Sequence, residues 1–210
     1  MQKKQHMNSP SQYRTIAAKE SALFTDKGSK FIAYAFPIET LADFKKHLEE
    51  IKKEHPKATH HCFAYRLGQN KDQFRANDDG EPSGTAGRPI LGQIDSLGLT
   101  NVLIIVVRYF GGTLLGVPGL IHAYKTAAAA VLEKSPLLYK DITTSCRIEC
   151  DYTALNEVMQ MLKQERVAMT EKNIGLYCDI VALIPVEIKE SLINSINALP
   201  GCTVKEMADQ

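Results

Sequence analysis

No stretch of this chain is long and apolar enough to cross a bilayer. The central run from Val102 to Val107 has six residues, against the roughly 20 that a spanning helix needs. A transmembrane helix is therefore excluded. The first twelve residues, with Lys3, Lys4 and His6 among polar neighbours, lack the apolar core of a secretory signal. They predict a cytoplasmic protein, free of membrane contact, with a flexible tail over residues 1–12. Cysteine is sparse and unpatterned: Cys62, Cys146, Cys150, Cys178 and Cys202 are odd in number and form no CxxC pair, which argues against a disulfide framework. Cys146 and Cys150 share one face of an expected strand, but no neighbouring Cys or His pair completes a zinc set.

Signatures of common chemistry are missing as well. Neither GK[ST] nor GxGxxG occurs, so a P-loop and the dinucleotide-binding fingerprint are excluded, and nothing resembles a nucleophile elbow. The acidic run Asp78, Asp79, Glu81 has too short a spacing for a calcium loop. Net charge is only +1, yet it is unevenly spread: residues 1–139 hold 18 basic against 13 acidic side chains, and residues 140–210 hold 7 against 11. If either half meets phosphates, it is the first.

What is present is a regular alternation of strand and helix signals over 210 residues, enough for two domains. Ser11 to Phe24 and Lys30 to Ile38, around Asp26-Lys27-Gly28-Ser29, read as a hairpin. Thr40 with Asp43 opens a helix whose Leu41, Phe44, Leu48 and Ile51 keep helical spacing up to Pro56. Thr59 to Leu67 and Asp72 to Ala76 read as a second hairpin. A polar loop then leads to a helix carrying Ile90, Leu91, Ile94 and Leu97. Val102 to Val107 reads as a central strand buried on both faces, and a further helix follows from Leu120. The domains meet near Pro136 to Asp141. The remainder reads strand, helix, strand, strand, helix, strand, the βαββαβ order of ferredoxin-like domains.

Seven of the thirteen glycines fall in two short segments, Gly80, Gly84 and Gly87 in one and Gly111, Gly112, Gly116 and Gly119 in the other. Each joins a strand to a helix. With Arg88 and Arg108 beside them, free amides at these helix starts are candidates to cradle an anion; the alternative is a pair of tight turns packed on each other. His60 and Cys62 share one strand face and His61 the other, where packing roles and an acid–base role both stand open.

Three segments carry a specific resemblance: Ala58-Thr59-His60-His61-Cys62-Phe63-Ala64-Tyr65, then the run from Asp78-Asp79-Gly80-Glu81-Pro82-Ser83-Gly84-Thr85 to Gly87-Arg88-Pro89, then Val107-Arg108-Tyr109-Phe110-Gly111-Gly112 to Gly116 with Gly119-Leu120 and Ala123-Tyr124. In this order they resemble the IMPACT family, and its bacterial YigZ-like members in particular, over residues 20–134. Residues 142–205 resemble the small C-terminal domain of those bacterial members. The resemblance implies an α+β protein. Its first domain, residues 13–136, would be like the second domain of small-subunit ribosomal protein five and domain four of elongation factor G. A ferredoxin-like domain, residues 141–207, would be like domain five of that factor. Eukaryotic relatives restrain the kinase that phosphorylates initiation factor two. The resemblance implies a translation-related protein whose partner is RNA, the ribosome or a translation component, and the absence of a recognisable nucleophile, metal set or cofactor motif favours a non-catalytic binding role with no cofactor and no metal. The candidate contact residues are Asp78, Asp79, Gly80, Glu81, Ser83, Gly84, Thr85, Gly87, Arg88, Arg108, Tyr109, Phe110, Gly111 and Gly112. The alternative is an enzyme acting on a small phosphorylated substrate at the same two loops, with Asp78, Asp79 or Glu81 as acid, base or metal ligand.

Overall fold

The computed structural model describes residues 11–207. In chain order the elements are β1 (Gln12–Ile16), β2 (Glu20–Asp26), β3 (Ser29–Pro37), α1 (Leu41–Glu54), β4 (His60–Leu67), β5 (Gln73–Asn77), α2 (Gly87–Ser96), β6 (Val102–Tyr109), α3 (Gly116–Lys134), β7 (Leu137–Asp141), β8 (Thr143–Asp151), α4 (Leu155–Gln164), β9 (Ala168–Asn173), β10 (Tyr177–Pro185), α5 (Lys189–Asn197) and β11 (Cys202–Glu206). They divide into two compact units, Tyr13–Lys140 and, with residues 11 and 12, the chain from Asp141 onward. Of the expected flexible tail, residues 1–10 lie outside the described residues, whereas Gln12 begins β1.

The first unit is built on an antiparallel sheet ordered β2-β3-β6-β4-β5. Strand β6 lies at its centre, and its apolar run alternates between two cores. Val102, Ile104 and Val106 join the cluster holding Tyr124, Ala127 and Ala128 of α3 and Ile90 and Ile94 of α2. Leu103, Ile105 and Val107 join Phe44 and Ile51 of α1. A strand covered on both faces needs no polar residues, hence the unbroken run. Helix α1 starts where Thr40 and Asp43 exchange backbone hydrogen bonds in a capping box. The alanine run of α3 offers small side chains to the sheet and permits a close approach.

One expectation at the start of this unit is corrected. The first expected strand is broken at residues 17–19, so the hairpin is β2 with β3 alone, turned at Lys27 and Gly28, both with positive φ. The detached β1 pairs with β7. Their flanking bonds, Ala17 N–H to the Pro136 carbonyl at 2.8 Å and Ile142 N–H to the Ser11 carbonyl at 2.7 Å, make the pair antiparallel. The stretch from Pro136 to Asp141, where the sequence has the two domains meet, holds the division between the units at Lys140 and Asp141 and is also largely a paired strand, because β1 offers it backbone partners that no local pattern announces.

The second unit has its elements in the order read from the sequence, strand-helix-strand-strand-helix-strand, with the sheet ordered β11-β8-β10-β9. Its core is separate: Cys146, Ile148 and Cys150 of β8 pack with Val158 and Leu162 of α4 and Ile196 of α5. Across the described residues no helix is long and apolar enough to cross a membrane.

Candidate functional site

Glu81 of the first glycine segment and Arg108, just before the second, meet at one end of the first sheet, where β4 starts and β6 ends. His60 pairs across the ladder with Arg108, and the loop after β5 folds back over both. The contact is a charged one. Glu81 Oε1 accepts hydrogen bonds from Arg108 Nη1 at 2.6 Å and from the Tyr124 hydroxyl at 2.7 Å. All three side chains are buried, Glu81 at 8% exposure, Arg108 at 6% and Tyr124 at 0%. The guanidinium carbon lies over the rings of Phe31 and Phe110, 5.5 and 5.8 Å from their centroids, so cation–π attraction adds to the ion pair. The Cys62 thiol, 3.0 Å from the Asp78 carbonyl oxygen and 3.3 Å from the Tyr124 oxygen, closes the group from below. Burial raises the pKa of both the Cys62 thiol and the Tyr124 hydroxyl, so both stay protonated at neutral pH.

Asp78 has a different task. Its carboxylate accepts from the backbone N–H groups of Gly84 at 2.8 Å, Ala86 at 3.0 Å and Gly87 at 2.8 Å. Burial by itself raises its pKa, but those three bonds and the nearby Arg88 charge outweigh it, and the carboxyl sits below its ordinary value. Helix α2 has no side-chain cap of its own at Ala86. Asp78 supplies the anion from outside. Gly87 is required there because a Cβ would come within 2.5 Å of the Asn77 amide nitrogen.

Asp79, with φ of 44°, accepts from the His61 backbone N–H at 2.6 Å through its carboxylate, while its carbonyl lies 2.7 Å from His60 Nδ1. A carbonyl only accepts, so Nδ1 carries the hydrogen and Nε2 is left 3.8 Å from Glu81. Burial lowers the pKa of His61. The three carboxylates therefore serve three separate sets of partners. Among the described residues no three Cys, His, Asp or Glu side chains are grouped to hold a metal ion.

These placements correct two expectations. The α2 amides expected to be free for an external anion are already taken by Asp78, and Arg108 faces Glu81 in the core instead of a phosphate in solvent. Both follow from one cause: an anion or cation carried by the chain itself fills each position before any ligand arrives. Thr85 and Gly87 are likewise buried, and the Thr85 hydroxyl donates to the Pro82 carbonyl at 2.7 Å. Tyr109 is partly buried, its hydroxyl 2.9 Å from His55 Nδ1. The exposed remainder is Gly80, Ser83, Arg88, Phe110, Gly111 and Gly112, with Gly84 at its edge. Gly111 donates its N–H to the Ser29 hydroxyl at 3.2 Å, and a Cβ on it would collide with the Gly28 backbone. Phe31 lies outside the motifs and Tyr124 within the third of them, yet neither is among the candidate contact residues. The signal for Tyr124 was its hydroxyl on an otherwise apolar helix stripe, since a buried hydroxyl needs a partner.

Fold and site together define a class: a two-domain α+β protein whose first domain presents a glycine-rich rim locked from beneath by a buried Glu–Arg–Tyr group. Residues 27–132 match the family model of the Impact N-terminal domain. The chain is 37% identical over 178 residues to an IMPACT family member of Haemophilus influenzae, covering 83% of this chain and 85% of that protein. It is also 36% identical over 140 residues to IMPACT family member YigZ of Escherichia coli, covering 66% of this chain and 69% of that one. A solved structure described as a hypothetical protein superposes with a TM-score of 0.77 at 27% identity, covering 96% of this chain and 99% of its own. The chain belongs to the IMPACT family.

Proposed function

We propose that the chain is a non-catalytic binding protein with a translation-related role, and that the rim of its first unit contacts RNA, presented free or on a ribosomal particle. The observation that carries this reading is the division of labour at the site. Glu81, Arg108, Tyr124 and Asp78 are consumed in holding the loops, while Arg88, Ser83, Phe110 and Gly112 remain on the surface. An exposed ring, an exposed cation and an exposed hydroxyl on these loops suit nucleotides, because bases stack on aromatic faces and phosphates pair with arginine. The excess of basic side chains in residues 1–139 acts in the same direction.

The ferredoxin-like reading of residues 141–207 draws support from the strand order β11-β8-β10-β9, and with it the likeness to domain five of elongation factor G; the likeness of residues 13–136 to domain four of that factor rests on the family resemblance. Placement in the cytoplasm belongs to the same proposal and is supported by five cysteines that are all free thiols. The enzyme reading loses its best groups, since Asp78 and Glu81 are committed to partners within the protein.

A crosslinking pull-down with and without nuclease tests the proposal. Recovery of RNA or ribosomal particles, weaker as salt rises, is expected. The double variant Arg88→Ala, Phe110→Ala should bind less, by about 1–3 kcal/mol for a lost stacked base, and with a salt slope shallower by about one unit for a lost phosphate contact. Unchanged binding in that variant, with circular dichroism intact, removes the rim from the contact. Turnover of a phosphorylated metabolite by the purified protein, abolished by Asp79→Ala, overturns the non-catalytic reading.

A further inference from the structure

Three of the five cysteines form a row across the sheet of the second unit. Cys150 on β8 stands opposite Cys202 on β11 and opposite Cys178 on β10. Directly opposed residues of an antiparallel sheet share a face, and all three thiols belong with the cluster that α4 and α5 cover. The two pairs differ in kind. Asp151 N–H donates to the Gly201 carbonyl at 3.2 Å and Met207 N–H to the Ser145 carbonyl at 2.8 Å. The odd-numbered residues of β8 are therefore the hydrogen-bonded ones toward β11, and Cys150 with Cys202 is a non-hydrogen-bonded pair. Toward β10 the parity reverses: in the same register Val186 N–H donates to the Ile142 carbonyl at 2.9 Å, so Cys150 with Cys178 is a hydrogen-bonded pair.

That difference decides which thiols can join. Non-hydrogen-bonded pairs stand about 4.5 Å apart at Cα with their side chains closest, and hydrogen-bonded pairs about 5.5 Å. A disulfide needs Cβ atoms about 3.5–4.5 Å apart, which favours Cys150 with Cys202. Access agrees. Strand β11 is at the sheet edge and Cys202 is partly exposed, whereas Cys150 and Cys178 are 2% and 1% exposed.

We propose that Cys202 and Cys150 form a reversible disulfide under peroxide, stapling edge strand β11 to β8. The Cys202 thiolate attacks one oxygen of hydrogen peroxide, breaking the O–O bond and becoming a sulfenic acid while hydroxide leaves and is protonated to water. The Cys150 thiolate then attacks that sulfur; the S–S bond forms, the S–O bond breaks, and the second hydroxide leaves as water. Two thiols and one peroxide thus give a disulfide and two waters, the two electrons passing from sulfur to oxygen. A dithiol reverses the link by exchange. Burial and its two thiol neighbours push the Cys150 thiol up to about 11, and burial with the Asp151 carboxylate raises Cys202 as well. Thiolate is scarce at neutral pH, so the pair responds to sustained exposure to oxidant.

The test treats the full chain with excess hydrogen peroxide, counts free thiols, and maps the linked peptides. The expected result is a monomeric product that has lost two of its five thiols, carries a Cys150–Cys202 link, and regains both thiols with dithiothreitol. Cys202→Ser, at the sheet edge where a hydroxyl is tolerated, should abolish the link, and Cys178→Ser should leave it. Retention of all five thiols, a link through Cys178, or a link only between two chains overturns the proposal.

Discussion

Arg108 shows how a single side chain changes meaning once its neighbours are known. Beside two glycines it reads as a phosphate contact; in the structure it is the buried partner of Glu81. Removing it strands a carboxylate in the core, where an uncompensated charge costs far more than the pair contributes. Arg108→Ala should lower stability by about 3–5 kcal/mol in denaturant melts, while Arg88→Ala, on the surface, should stay within about 0.5 kcal/mol. Equal effects for the two arginines would contradict the buried pair. It follows that lost RNA binding in an Arg108 variant is a folding effect, and that Arg88 and Phe110 are the informative positions. The motifs Asp78 to Arg88 and Arg108 to Gly112 were legible as important, since glycines clustered between strand and helix mark backbone that turns tightly or is closely approached. Which of their polar residues look outward was not, because burial depends on what packs over them.

The element in which local and distant information combine is α2. Its apolar face is plain from Ile90 and Ile94, yet its start carries no capping side chain, and the cap comes from Asp78, eight residues before Ala86. Asp78→Ala should cost about 1–2 kcal/mol, the range for lost helix caps, kept at that level by partial exposure. The pH dependence has a definite sign. A carboxyl held below its ordinary value of 3.8 in the folded state stabilises fully above that value, and this stabilisation is lost as pH falls through the lowered folded value. The difference between wild type and Asp78→Ala in denaturant midpoint should therefore be constant near neutrality and shrink in acid. A gap that persisted undiminished at the lowest pH would assign the loss to packing. Strand β7 is the converse case, an element with weak local pattern that exists because β1 pairs with it; amide exchange should find Ala17 and Ile142 protected, as their bonds to the Pro136 and Ser11 carbonyls require.

At the scale of the molecule, the cores are separate. The two clusters of the first unit draw on residues from Ile16 to Leu132 and the cluster of the second on residues from Cys146 onward. A fragment spanning residues 12–141 keeps both of its clusters and the β1–β7 pair, and should unfold in one cooperative transition by circular dichroism. A fragment that is molten, with far-ultraviolet signal but no cooperative melt, would show that its two clusters do not suffice.

Local chemistry was enough to set several features of this protein. The capping box at Thr40 and Asp43, the all-apolar β6, the strand-helix order of the second unit and the three family motifs all depend on residues close together in the chain, where spacing and side-chain type determine the outcome. Other features waited for the fold. The burial of Arg108, the capture of the α2 amides by Asp78, the pairing of β1 with β7 and the row of Cys202, Cys150 and Cys178 each depend on how separate segments come together. Their contacts arise from strand register and the closing of loops over the sheet, and pairing between strands far apart in the chain has no local signature because any strand can offer its hydrogen bonds to any other.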